Sequence, residues 1–183
     1  MARDSIGGLE LSSMARGYEA ADAMLKAAPV GLLLSRTICP GKYLILVTGE
    51  VAAVTAAVEA GAERAGESRV DDFVIPNIHP SVFPAIEGAA PPEKLEALGV
   101  VETFSAASLI DAADAAAKTA SVRLIEIKLA MAMGGKGLVT FTGSVAAVEA
   151  AASAAADSAS LKGLLVQKTV IPQPRPELLN ELI

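Results

Sequence analysis

A chain of 183 residues that is 52% hydrophobic but only 3% aromatic has material for one domain or two small ones, packed largely from alanine. Its net charge of −6 and pI near 4.8 exclude the basic face that nucleic acid requires. No apolar run reaches the roughly 18 residues of a membrane span. The N-terminus lacks the apolar region of a secretory signal, and one cysteine forms no intrachain disulfide, so a soluble cytoplasmic protein is expected.

In chain order, Ile6 to Leu11 reads as a strand. Ser12 or Ser13 can cap a helix running to about Ala28, where Pro29 stops it. Val30 to Thr37 and Tyr43 to Thr48 are two more strands, joined through Arg36-Thr37-Ile38-Cys39-Pro40-Gly41-Lys42. That joint is turn chemistry: proline fixes its own φ and restrains Cys39, and glycine accepts a φ that other residues avoid. Gly49-Glu50 opens a second helix, Val51 to about Ala65, closed by Gly66, and Val70 to Ile75 is the last strand of the set.

The pattern then begins again. Ala113-Asp114-Ala115-Ala116-Ala117-Lys118 answers Ala21-Asp22-Ala23-Met24-Leu25-Lys26 at a shift of 92, from Asp22 to Asp114. Gly143-Ser144-Val145-Ala146-Ala147-Val148 answers Gly49-Glu50-Val51-Ala52-Ala53-Val54 at a shift of 94, as Gly135-Lys136 answers Gly41-Lys42. Val170-Ile171-Pro172 answers Val74-Ile75-Pro76 at 96. Small gains at loop positions are the mark of a duplicated domain. The second copy reads as strands at Leu98 to Glu102, Val122 to Ala130, Gly137 to Thr142 and Leu164 to Val170, with helices from Ser105 and Val145. Gly88-Ala89-Ala90-Pro91-Pro92-Glu93 punctuates the join, giving domains 1–90 and 91–183. The order β-α-β-β-α-β in each is that of a ferredoxin-like α+β sandwich, whose helices cover one sheet face. The other face and the edges favour association with further chains.

Few residues suggest chemistry. Cys39 sits in a loop that presents its thiol, and the alternative is an inert residue filling a turn. His79 is the sole histidine and lies in no ligand or nucleophile spacing, so a structural or edge role is expected. Glu10 and Glu102 recur through duplication, with backbone N–H groups as the expected partners. Gly134-Gly135 lacks phosphate-loop spacing and leads into a strand.

Gly8-Leu9-Glu10, Ala20 to Ala28, Gly49 to Val54 and Val170-Ile171-Pro172 together resemble the bacterial microcompartment shell domain, present here twice as in the tandem-domain trimeric shell proteins. Thr37 to Lys42 is similar to the pore loop of those that carry an iron–sulfur cluster in propanediol-utilisation microcompartments. The resemblance implies a homotrimer forming a pseudohexameric tile that packs with other shell proteins around encapsulated enzymes, some of them redox partners. It implies that Ile38, Cys39, Pro40 and Gly41 of copy one and Met133, Gly134 and Gly135 of copy two line the pore. Three copies of Cys39 would then hold one [4Fe-4S] cluster per trimer on the threefold axis, with one iron open, for electron transfer across the shell. A three-thiolate zinc site is the nearest rival as a ligand set. Lys26, Asn77, Lys118 and Gln173 fall at tile-edge positions. Asn77 and Gln173 stand where the family's Ile-Pro-Arg-Pro-His motif has arginine, so edge contacts lose the guanidinium fork. No catalytic residue is implied. The competing readings are an open metabolite pore without a cluster, and a ferredoxin-like regulator binding a metabolite between subunits.

Overall fold

A computed structural model describes residues 4–88, 92, 95–130, 133–175, 177 and 178. Contacts divide the chain into two compact units, Met1–Ile78 and His79–Ile183.

The first unit comprises β1 (Ser5–Leu11), α1 (Met14–Ala27), β2 (Gly31–Ile38), β3 (Lys42–Gly49), α2 (Val51–Ala65), a 3-10 turn at Gly66–Ser68, and β4 (Arg69–Pro76). Its sheet is antiparallel throughout in the order β2-β3-β1-β4, the ferredoxin-like arrangement. Leu9, Leu11, Tyr43, Ile45 and Val47 alternate to one face, as period two demands. There they meet Ala20, Ala21 and Met24 of α1 and Val54, Ala57 and Val58 of α2. Small residues set the helix spacing: a Cβ on Gly61 would lie 2.5 Å from Met24 Cγ.

The second unit holds α3 (Val82–Glu87), β5 (Ala97–Thr103), α4 (Ala106–Thr119), β6 (Arg123–Leu129), β7 (Gly137–Gly143), α5 (Val145–Leu161) and β8 (Leu165–Pro172). The order β6-β7-β5-β8 repeats the first sheet. Even the irregularities recur. Register shifts at Glu10/Leu11 and at Leu32/Leu34 have counterparts at Glu102/Thr103 and Leu124/Glu126. Ser13, Ser105 and Ser144 each cap a helix by accepting the N–H of the third residue on: Arg16, Ser108 and Ala147.

One packing contact is solved with the volumes exchanged. In copy one, Gly17 of α1 lies against the Tyr43 ring, and a Cβ there would stand 2.4 Å from it. In copy two the helix carries Leu109 and the strand Gly137, whose added Cβ would meet Leu109 at 2.7 Å.

The helix α3 lies outside the β-α-β-β-α-β pattern expected from the sequence. The repeat joins at residues 88–93, but packing changes hands earlier, at Ile78/His79. Val82, Phe83 and Ala85 are buried, with α3 against β6 and α4. The backbone N–H of His79 donates to Asp114 Oδ1 at 2.7 Å.

Candidate functional site

The β2–β3 ladder runs to the pair Ile38↔Lys42, so Cys39, Pro40 and Gly41 alone make the hairpin tip. The Cys39–Pro40 peptide is cis, and Gly41 has φ +67°, a value that favours glycine. Ile38 is buried beneath the tip, the free Cys39 is half-buried, and Pro40 and Gly41 are exposed. Behind them Lys42 Nζ donates to Glu10 Oε1 at 2.6 Å, with the carboxylate almost wholly enclosed. The partner of Glu10 is thus an ammonium of the loop strand, where backbone N–H groups were expected. Burial makes the difference: a carboxylate taken from water needs a countercharge, and Lys42 is the one within reach.

The second hairpin keeps this plan with a longer tip. Its ladder ends at Leu129↔Gly137, the counterpart of Thr37↔Tyr43, leaving residues 130–136 where copy one has 38–42. The two residues gained between the copies therefore fall in the loop. Ala130 is buried at φ +50°, and Gly134 and Gly135 have φ +61° and +88°. The N–H of Lys136 donates to the Met133 carbonyl at 3.2 Å, closing a turn with Gly134 exposed and Met133 and Gly135 half-buried. Lys136 Nζ donates to Glu102 Oε1 at 2.9 Å, repeating the pair behind the first tip. The sequence signal for both pairs is the doubled Gly-Lys, Gly41-Lys42 and Gly135-Lys136.

The edge candidates lie elsewhere. Asn77 follows Pro76, which pairs with Ser5 opposite Gly49, at the sheet end remote from the Ile38–Lys42 tip. Gln173 is placed in the same way after Pro172. Both are exposed and left-handed, at φ +51° and +46°, so each turns the chain off its edge strand. Lys26 pairs with Asp22 and Lys118 with Asp114, each at 2.6 Å across one helical turn. His79 Nδ1 lies 2.7 Å from Ser81 Oγ and accepts the Ser81 N–H at 3.3 Å, a local turn.

Among the described residues of one chain, no three His, Cys, Asp or Glu side chains are grouped to hold a metal ion. No described helix is long and apolar enough to cross a membrane. What one chain offers is a half-buried thiol on a short, well-fixed tip.

The BMC domain model matches residues 5–78 and 97–174. The bacterial microcompartment shell protein PduT of Citrobacter freundii is 47% identical over 98% of this chain and 97% of its own length. The shell protein EutM of Salmonella typhimurium is 42% identical over 46% of this chain and 85% of its own, as one copy against two requires. Among solved structures, a microcompartment protein from Desulfitobacterium hafniense superposes with TM-score 0.93 at 54% identity, covering 98% of this chain and 99% of that one. The fused permuted hexameric shell protein of the RMM microcompartment shares the fold, with TM-score 0.64 at 24% identity over 85% of this chain and 83% of its own. By two domain matches that span nearly all of its described sheets and helices, the chain belongs to the bacterial microcompartment shell proteins.

Proposed function

We propose that this shell protein assembles as a homotrimer whose six domains form a pseudohexameric tile, and that three Cys39 thiolates converge at its centre on one [4Fe-4S] cluster. The protein is a structural component of a microcompartment shell, not an enzyme, and the tile packs with other shell proteins in the cytoplasm. The observation that carries the cluster reading is the hairpin tip. Cys39 is presented on a three-residue turn, half-exposed, with its strand anchored by Lys42–Glu10. One chain supplies one thiolate, so a threefold axis is what makes a three-ligand set. The second hairpin offers Met133, whose thioether is a weak ligand, so three ligands rather than six are available. When bound, such a cluster supplies one-electron transfer across the shell. The protein residues would hold it: Ile38 is buried at the base of the tip, and Gly41 makes the turn that carries Cys39.

Anaerobic reconstitution with iron and sulfide, beside a Cys39→Ala control, tests this. About one four-iron cluster per trimer in the parent, absent from the control, supports it. A folded trimer that takes up no cluster leaves an open pore, lined by both sets of loops, as the function of the tile centre.

A further inference from the structure

The two copies differ in what covers the first helix. In the second unit, α3 and the residues before it roof α4 and β6, so that Ala106, Ile110 and Leu124 are 1%, 0% and 3% exposed. The answering positions in the first unit are Met14, Tyr18 and Leu32, at 47%, 68% and 47%. A stripe buried in one copy is bare in the other.

The roofing segment follows β4, and the chain has a second segment in the same place after β8. Residues 174–183 read PRPELLNELI. The shift of 96 that takes Asn77 to Gln173 also takes Pro80 to Pro176, and sets Leu178, Leu179 and Leu182 where the first segment has Val82, Phe83 and Ile86. The Asp–Lys pair beside the polar anchor repeats too. Asp114 receives the His79 N–H while holding Lys118. Its counterpart Asp22 holds Lys26 and, among the described residues, has no such backbone donor. The residue that answers His79 is Arg175, a cation suited to an exposed carboxylate.

We infer that residues 174–183 of one chain dock on Met14, Tyr18 and Leu32 of a second copy of the chain, as residues 79–87 dock on α4 and β6. The inference rests on the trimer reading above. A segment that follows one copy covers the next copy along. Repeating that relation beyond the second copy carries the tail onto the first copy of another chain. Such a contact is head-to-tail, and a ring closes it.

The chain has two tyrosines, and Tyr43 is buried, so iodination under native conditions reads Tyr18. In the parent trimer Tyr18 is expected to be protected. In the full chain carrying Leu178→Asp and Leu182→Asp it reacts freely while Tyr43 stays unreactive, and the trimer dissociates at about tenfold or more higher concentration. A second chain carrying Cys39→Ser, Tyr18→Cys and Leu178→Cys is expected to give disulfide-linked dimers and trimers on a denaturing gel. A parent trimer with reactive Tyr18, or a substituted chain that trimerises as tightly as the parent, overturns the docking and leaves the trimer standing. A disulfide formed within one chain overturns the assignment to a second copy. A parent that is not trimeric overturns both readings.

Discussion

Glu10 and Glu102 occupy equivalent positions and hold equivalent lysines, yet the Glu10 side chain is 8% exposed and that of Glu102 is 30%. Removing the lysine from the first pair strands a buried carboxylate, while the second can turn to water. Lys42→Met is therefore expected to destabilise by about 2 kcal/mol or more, and Lys136→Met by less than about 1 kcal/mol. Urea unfolding of the two variants beside the parent measures the difference. Tyr43, flanking the first tip, gives a pH dependence. Burial raises its pKa above the ordinary 10, against the Ser35 hydroxyl bonded to its Oη, which pulls it down, with Tyr18 adding to the rise. The unfolded chain then loses the phenolic proton first as pH rises past about 10. Its contribution to stability is whole below that pH and is lost as pH climbs through the higher folded value. Tyr43→Phe should flatten stability over that window. Titration at 295 nm should show the Tyr43 phenol ionising above the ordinary tyrosine value, with no tryptophan to obscure it.

At the level of elements, duplication preserved the sheets while exchanging parts between them. The contact of the first helix with the third strand keeps one large and one small residue and moves the large one from strand to helix, Gly17 with Tyr43 becoming Leu109 with Gly137. Gly137→Ala should cost about 1–3 kcal/mol, since its Cβ meets Leu109 within a full contact. Tyr43→Gly should cost about 3–5 kcal/mol through the void it leaves. Adding Gly17→Leu should restore part of that loss, a favourable coupling of about 1–3 kcal/mol in a double-mutant cycle. Strands and helices were legible because each has its own period and its own cap or breaker: Ser13, Pro29, Gly66, Ser105 and Ser144. The helix α3 was not, because six residues interrupted by Pro84 are too short to show a period. Only the apolar ground offered by α4 and β6 shows why it forms there.

At the scale of the molecule, Lys26 and Lys118, which we propose for the edges of the tile, differ in their surroundings. Lys26 is 74% exposed and paired with an exposed Asp22, whereas Lys118 holds an Asp114 that also anchors His79. Lys26→Glu should leave the trimer's stability near the parent's and suppress its growth into sheets, as seen by light scattering and electron microscopy. Lys118→Glu should also lower the melting temperature, because it sets a second carboxylate beside a nearly buried one. The sequence by itself determined the duplication, the order of elements, the turn that carries Cys39 and the family. These follow from local rules, in which period, cap and breaker act within a few residues and repeat at a constant shift. Tertiary structure alone decided that Glu10 and Glu102 hold lysines of the loops. It likewise decided that the gained residues lengthen the second tip, and that residues 79–87 belong with the second unit. Those outcomes depend on which groups lose water together, and burial of that kind is settled between strands and helices far apart in the chain.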